Sequence, residues 1–290
     1  MMISYMIHIV LTRVDSHHHL WDLSKNERTW LAGDSLTPIN RTFRISDYEN
    51  AVAQSGISKS ILVQTIADYR ELDEFFEVAV SSETVAGVVS WIDMSAADCF
   101  DKLRSSTRYQ DLPKLVGIRD GAQGRTNREW LASKQLVQNV KLLAKKNLVF
   151  DLLVDPTNLP SAIELVKQCP ETVFVLDHIG KPAISKQEHQ PWQNLIQSLA
   201  KYENVFCKVS GMITEADWAT WQPSDIQPYF AHVLESFSSS RIMFGSDWPV
   251  SLLAGSYESV ANLAADFVST LSNSEQELFW FGTATRVYRL

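Results

Sequence analysis

The stretch VDSHHHLWD, residues 14–22, begins like a β-strand and then carries three consecutive histidines. A purification-tag remnant or a polar turn would account for the triplet most simply. Tags are usually longer and stand among Gly and Ser, whereas acidic and aromatic residues flank this triplet. Residues i and i+2 of a strand point to the same face. We therefore predict that His17 and His19 project together and that His18 points the other way.

Seven further runs of this kind follow along the chain. Each is short, rich in Val, Ile or Phe, and ends in or near a polar residue. The eight candidate strands cover residues 14–19, 60–65, 85–91, 115–120, 148–154, 172–178, 204–211 and 241–248. Nearly continuous apolar strands indicate a parallel sheet that is buried on both faces.

Amphipathic segments with apolar residues at helical spacing lie between these runs. They cover residues 45–56, 69–81, 127–147, 192–204, 225–237 and 257–271. Eight strands alternating with helices are typical of an α/β fold, the (β/α)8 TIM barrel. A doubly wound sheet is the alternative, but no Gly-rich phosphate-binding loop follows the first strand. Because no long linker interrupts the chain, we expect one domain over residues 1–290, with a lead-in at 1–12.

Composition narrows the class of partner. The net charge of −8 argues against a nucleic-acid or anionic-membrane surface, since phosphate binding needs clustered Lys and Arg. The apolar opening MMISYMIHIVL is too short to span a bilayer and lacks the basic start of a signal peptide. The three cysteines have no CxxC spacing, which favours free thiols in a reducing compartment. We expect a cytoplasmic protein that acts on a small molecule.

A barrel places its active site at the carboxyl ends of the strands. The predicted strand ends are rich in polar and aromatic side chains: His17, His19, Gln64, Trp91, Arg119, His178, Lys208 and Asp247. Charged groups are rarely buried without partners, so this set favours a functional site over simple core packing.

Three of these residues have the chemistry of a metal site. An H-x-H pair alone is a weak signal, but His17 and His19 combine with an Asp that closes strand eight, Asp247. His178, which closes strand six, is a fourth candidate. Imidazole and carboxylate ligands suit Zn²⁺ or Mn²⁺, with an open position for water. The structural alternatives are an N-cap role for Asp247 and a loop contact for His178.

The motifs VDSHHHLWD, VQT, GIRD, DHIGKP, NVFCKVSGM and FGSDWPV, in this order, resemble the amidohydrolase superfamily. The similarity is to its amidohydrolase-2 branch, which contains sugar-acid lactonases of the L-fuconolactonase and L-rhamnonolactonase type. It extends from about Val14 to the C-terminus. Asp15-x-His17-x-His19, His178 of DHIGKP and Asp247 of GSDWP match the motifs of the family. The resemblance implies a (β/α)8 hydrolase that acts on a cyclic ester.

The chain departs from the binuclear members of this superfamily. Strand five offers Asp151 but no His, and strand four has no lysine placed to carry a bridging carbamate. We therefore expect one divalent ion rather than two. Since relatives in this branch include enzymes that work without a metal, metal-independent activity stays open as an alternative.

The residues suggest roles in opening a lactone. Asp247 is the candidate base for the attacking water and then the proton donor to the leaving alkoxide, with His178 beside it. A metal on His17 and His19, helped by His178 or Asp247, would polarise the carbonyl or acidify the water. Without a metal, the same histidines and Arg119 would donate to the oxyanion.

Other residues are candidates for substrate binding. Trp21 and Trp248 stand beside the predicted ligands and would form a stacking platform for a sugar ring. Arg70 would meet a hydroxyl or carboxylate of the substrate, and Lys208 and Arg119 would do the same from their strand ends. The alternatives are core packing for the tryptophans and ion pairs for the charged residues, with Asp120 or Asp151 as partner of Arg119.

Three function classes follow. Hydrolysis of a sugar-acid lactone is the leading one, because DHIGKP and CKVSGM favour that side of the family. A metal-dependent non-oxidative decarboxylase is the second enzyme class, in which His178 and Asp247 would protonate a carbanion. A carbohydrate-binding barrel without activity is disfavoured, because the catalytic types of residue are all present.

Overall fold

The computed structural model describes residues 12–290. The predicted lead-in at 1–12 therefore lies outside the described residues except for its last position. Eight parallel strands form one sheet in which every strand pairs with the next along the chain. They are β1 Arg13–His18, β2 Ile57–Val63, β3 Val85–Ser90, β4 Leu115–Arg119, β5 Val149–Leu152, β6 Phe174–Leu176, β7 Val205–Val209 and β8 Ile242–Phe244. All eight predicted strands are confirmed.

The sheet closes on itself just beyond the end of β8. The backbone N–H of Asp247 donates to the carbonyl of His17 at 2.8 Å, and the N–H of His19 donates to the carbonyl of Trp248 at 2.7 Å. These bonds join the last strand to the first and complete the (β/α)8 TIM barrel. They also bring the histidine triplet next to Asp247, although more than 220 residues separate the two in sequence.

Helices surround the barrel. They are α1 Ile45–Val52, α2 Glu71–Ser81, α3 Cys99–Ser105, α4 Lys134–Lys145, α5 Leu159–Gln168, α6 Trp192–Leu199, α7 Met212–Glu215, α8 Pro223–Phe237, α9 Tyr257–Val268, α10 Asn273–Glu277 and α11 Thr283–Tyr288. The six predicted helical segments correspond to α1, α2, α4, α6, α8 and α9, although α8 begins two residues before the predicted segment 225–237. Within residues 12–290, no helix is both long enough and apolar enough to cross a membrane.

The interior of the barrel has an apolar floor. Inward-facing side chains of the strands, among them Val14, Ile61 and Met243, pack against Val287 and Tyr288 of α11. The C-terminal helix therefore closes the lower end of the barrel, and the polar side chains occupy the opposite end.

Candidate active site

A cavity of about 440 Å³ opens at the carboxyl ends of the strands, where a TIM barrel carries its active site. Four of the sequence-predicted site residues line it, namely His19, Arg119, His178 and Asp247. They come from the ends of four strands or from the turns that follow. The cavity thus brings together residues that are distant in sequence.

The centre of the site is a cluster of buried metal-ligating groups. His17, His178 and Asp247 each offer one atom that could bind a metal ion, and these three atoms all lie within 4.8 Å of one another. His19 completes the cluster, because its Nε2 lies 3.3 Å from Asp247 Oδ1 and 3.2 Å from His17 Nε2. His19 is oriented from behind by a 2.7 Å contact between its Nδ1 and the carbonyl of Val63.

A β-bulge in β1 decides which residues of the D-x-H-x-H motif face the cavity. Asp15 pairs with Ser60 of β2 and His18 with Leu62, so three steps of β1 oppose two steps of β2. His17 and His19 consequently point inward, whereas Asp15 points outward, on the side of His18.

Asp15 holds the junction of the first and last strands from outside the cavity. Its Oδ1 accepts the backbone N–H groups of His17 at 3.1 Å and Ser246 at 2.9 Å, and its Oδ2 accepts the hydroxyls of Tyr48 and Tyr257. This carboxylate is fully buried and has four donors. It is therefore a positioning residue for the backbone beside His17 and Asp247.

His178 stands on an unusual turn after β6. His178, Ile179, Gly180 and Lys181 all have positive φ angles, and three of them are not glycine. Left-handed conformations cost non-glycine residues about 1 kcal/mol or more each and cluster at functional sites. The turn directs the imidazole so that its Nδ1 lies 2.9 Å from Ser210 Oγ and its Nε2 lies 3.9 Å from Asp247 Oδ1.

The protonation states suit cation binding. Burial raises the pKa of Asp247, but the imidazoles of His178, His19 and His17 outweigh it, and the pKa lies below its usual value. Burial lowers the pKa of His178 to about 4 and lowers that of His17 well below its ordinary value. At neutral pH Asp247 is therefore an ionised carboxylate and His17 and His178 are neutral imidazoles, the forms that coordinate metals.

His17 connects the cavity to charged groups beneath it. Its Nδ1 lies 3.1 Å from Lys208 Nζ and 3.3 Å from Asp177 Oδ1. Its Nε2 lies 3.3 Å from Arg119 Nη1, and the same Nη1 donates to Asp177 Oδ2 at 2.9 Å. The partner of Arg119 is thus Asp177, not Asp120 or Asp151, and Arg119 remains at the wall of the cavity.

The structure does not place the two predicted stacking residues in the cavity. Trp21 is fully buried, and its Nε1 donates to the carbonyl of Arg41 at 2.6 Å. Trp248 is buried against Phe43, with ring centroids 5.2 Å apart. Both tryptophans pack the loop between β1 and α1 onto the barrel, because the backbone of Trp21 pairs with that of Phe43 and turns the chain away from the site.

Two predicted substrate-binding cations also lie elsewhere. Arg70 is exposed and bonds Asp68, with Nη2 and Oδ2 2.6 Å apart. Lys208 is fully buried below the cavity, where it bonds Asp151 and Asp177. Of the alternatives weighed from the sequence, ion pairing describes both residues, and the charge of Asp151 inside an apolar strand was the available signal for a buried partner.

Several cavity residues were not singled out as binding residues from the sequence. Gln64, Lys181 and Trp30 line the cavity. Gln64 closes β2 and Lys181 belongs to DHIGKP, so strand ends and motifs pointed at both. Trp30 lies in the loop after β1, nine residues beyond Trp21, and no periodicity identifies it.

The donor set fits one divalent ion. Two imidazoles and a carboxylate are ligands that Zn²⁺ accepts, with a further position left open. Both imidazoles have a second polar contact, His17 to Asp177 and His178 to Ser210, as metal-binding histidines usually do. Arg119 Nη1 points at the same Nε2 of His17, so this hydrogen bond and an ion bound to that nitrogen exclude each other.

Comparison with known proteins gives relatives along most of the chain. An L-fucono-1,5-lactonase of Burkholderia multivorans is 32% identical, covering 96% of this chain and 96% of that protein. An L-fucono-1,5-lactonase of Burkholderia ambifaria is also 32% identical, covering 84% of this chain and 83% of that protein.

A solved structure is similar to this chain over most of its length. The crystal structure of an amidohydrolase from Burkholderia multivorans with bound zinc superposes with a TM-score of 0.88 at 32% identity, covering 96% of this chain and 99% of that one. The model of the amidohydrolase family matches residues 14–290. The sequence resemblance is thereby confirmed, and the chain belongs to the amidohydrolase family.

Proposed function

We propose that this protein opens the lactone of a sugar acid by adding water to its ester carbonyl. The observation that carries the proposal is the buried group of His17, His178 and Asp247 at the base of a cavity of about 440 Å³. The two lactonases that are 32% identical over most of their length support the same reaction. These residues support hydrolysis of an ester bond and do not specify a particular sugar.

Asp247 is the proposed acceptor of the proton from water. Its lowered pKa keeps it ionised at neutral pH, and its Oδ1 lies 3.3 Å from His19 Nε2, with the Nε2 atoms of His17 and His178 at 3.8 and 3.9 Å. A carboxylate with a low pKa is a weak base, but a lactone is an activated ester and needs only modest assistance. The carbon–oxygen bond of the ring then breaks, Asp247 returns the proton to the leaving alkoxide, and a hydroxy acid results.

The carbonyl oxygen becomes negative during the attack and needs donors. Arg119 lines the cavity, and its guanidinium carries N–H groups that can supply them. A divalent ion held by His17, His178 and Asp247, with His19 beside it, would add Lewis-acid polarisation and would make bound water more acidic.

A pH-indicator assay against five- and six-membered aldonolactones tests this proposal. We expect acid release above the spontaneous rate with the wild-type protein and a loss of at least about 100-fold in Asp247→Asn. The matched control is Asp111→Asn, which changes an exposed aspartate in the same way. Activity that survives chelation would assign the histidines as hydrogen-bond donors. Absence of turnover on every lactone, or CO₂ release from an aromatic acid, would contradict the proposal.

A further inference from the structure

Trp30 is a large apolar side chain that remains partly exposed at the cavity. Within residues 12–290, the exposed large hydrophobic residues are Trp30, Val80, Leu142 and Trp218. Of these, Trp30 lines the cavity that contains Asp247 and His178. Trp30 is 37% exposed, so a ligand in the cavity would bury apolar surface by contacting it.

The surroundings hold Trp30 in place on both sides. It occupies a single turn, Thr29–Leu31, between Arg28 and Leu31, which are both buried. Arg28 Nη2 bonds Glu71 Oε1 at 3.1 Å and Glu74 Oε2 at 3.2 Å, which ties the turn to α2. This fixation reduces the conformational entropy that ligand binding would otherwise have to remove.

Trp21 covers at most one face of the Trp30 ring. Trp21 meets it in a T-shaped contact with centroids 5.4 Å apart and an interplanar angle of 85°. A T-shaped contact uses an edge of one ring and a face of the other, so at least one face of Trp30 is not covered by Trp21.

The cations of the cavity wall are already paired. Lys181 forms an ion pair with Glu215, and Arg119 forms one with Asp177. The wall therefore offers hydrogen-bond donors with little excess positive charge. It suits an uncharged ring with polar groups on its edge better than a ring carrying several carboxylates.

We propose that Trp30 determines specificity by packing against one face of the substrate ring. This inference rests on the proposed lactonase function. Ring C–H groups pack well on an indole, whereas an axial hydroxyl directed at the indole loses its hydrogen bond to water. Trp30 thus selects lactones whose packed face carries no axial hydroxyl, while Gln64, Arg119 and Lys181 address the polar edge of the ring.

We would test this inference by measuring the kinetics of Trp30→Ala and Trp30→Phe. The substrates are L-fucono-1,5-lactone and aldono-1,5-lactones that differ from it at one ring carbon. In Trp30→Ala we expect KM to rise about tenfold, kcat to stay within about threefold, and the kcat/KM ratios between epimers to narrow. In Trp30→Phe we expect KM and the kcat/KM ratios between epimers to return most of the way to the wild-type values. Trp218→Ala is the matched control, because Trp218 is also 37% exposed but does not line the cavity.

Unchanged KM and unchanged epimer ratios in Trp30→Ala, with an active wild type, would overturn this inference and leave the proposed function intact. A fall of kcat together with thermal stability would also overturn it, because that result indicates a structural role. If the wild type turns over no lactone, the proposed function fails, and calorimetry with the same lactones decides about Trp30. Binding that weakens in Trp30→Ala and recovers in Trp30→Phe would then support it, and any other result would refute it.

Discussion

His18, the middle histidine of the triplet, is buried on the side of β1 that faces away from the cavity. Its ring stacks on Tyr48 with centroids 3.8 Å apart, and neither ring nitrogen has a hydrogen-bond partner within residues 12–290. Burial, with repulsion from His19, lowers its pKa well below the ordinary value of 6.5. The folded protein therefore keeps this imidazole neutral at a pH where the unfolded chain protonates it.

We predict that His18→Phe makes the protein more resistant to acid. As the pH falls below about 6.5, the unfolded chain binds a proton at residue 18 and the folded chain does not, so the wild type loses stability. The two proteins should differ by about 1 kcal/mol or less at pH 7.5. At pH 5 the free energy of unfolding of the variant should gain about 2 kcal/mol relative to the wild type.

Urea unfolding of both proteins at the two pH values measures this difference. Phe keeps a flat ring against Tyr48, so loss of stacking does not enter the comparison. Stability curves that run parallel between pH 7.5 and 5 would mean that His18 binds its proton in the folded state as well.

In β1, strand periodicity predicts correctly which way some side chains point and fails for one of them. The i and i+2 rule correctly separates His17 and His19 from His18. The same rule puts Asp15 on the inner face, and there it fails, because the register of β1 against β2 contains the bulge. A bulge depends on the pairing of two strands, and the sequence of one strand does not reveal it.

The turn after β6 and the end of β7 form one structural unit around His178. Gly211 follows β7 with φ +61°, and a Cβ atom at this position would lie 2.7 Å from His178 Nδ1 and 2.9 Å from its Cγ. Contacts this short require the imidazole to move. Only glycine allows the two segments to approach each other in this way.

Gly211→Ala is expected to remove most of the activity, because His178 must shift and misplacement of a catalytic group by about 1 Å can cost about 100-fold in rate. The left-handed backbone should add about 1 kcal/mol of destabilisation. Gly124→Ala is the matched control, since Gly124 has φ +73° and no atom within 4 Å of the added Cβ. Measuring lactone turnover and thermal unfolding of both variants separates the effect of backbone strain from the effect of displacing His178. Equal activity of the two variants would show that His178 tolerates the added methyl group.

The elements themselves were largely predictable. Each strand is a short apolar run with its own boundary signals, so all eight were found. The missed helices are α3, α5, α7, α10 and α11. α5 carries Pro160 in its first turn, where proline is tolerated although it usually indicates a break. The loop that carries Trp30 has no periodicity, and its path depends on the distant pairing of Arg28 with Glu71 and Glu74.

At the scale of the whole molecule, a layer of charged groups separates the cavity from the apolar floor of the barrel. Lys208 Nζ bonds Asp151 Oδ2 and lies 3.0 Å from Asp177 Oδ1, while Arg119 bonds the other oxygen of Asp177. The Tyr288 hydroxyl donates to Asp151 from below. Two cations thus balance two carboxylates, and the layer joins four strands to the C-terminal helix.

The two carboxylates of this layer differ in their surroundings. Burial raises the pKa of both, but for Asp177 the positive charge of Lys208, the hydrogen bond from His17 and the positive charge of Arg119 outweigh it, so its pKa lies well below the ordinary value. Asp151 has Lys208 as its cation, and burial raises its pKa to about 6. Asp151 is therefore the group that takes up a proton first when the balance of charge is disturbed.

Lys208→Met should accordingly destabilise the protein in a pH-dependent way. Removing the cation leaves two buried carboxylates against one guanidinium, which should cost about 3–5 kcal/mol of unfolding free energy at pH 7.5. Without Lys208 the pKa of Asp151 rises further above its unfolded value. A raised carboxyl pKa contributes stability at low pH that is lost as the pH increases, so the variant should recover part of its lost stability at pH 5.5.

The control variant Tyr288→Phe keeps both ion pairs and removes one hydrogen-bond donor, for a cost of about 1–2 kcal/mol of unfolding free energy. Denaturant unfolding of the three proteins at both pH values provides the comparison. If Lys208→Met costs no more than Tyr288→Phe at pH 7.5, then the layer does not depend on charge balance and a methionine packs as well between β5 and β7.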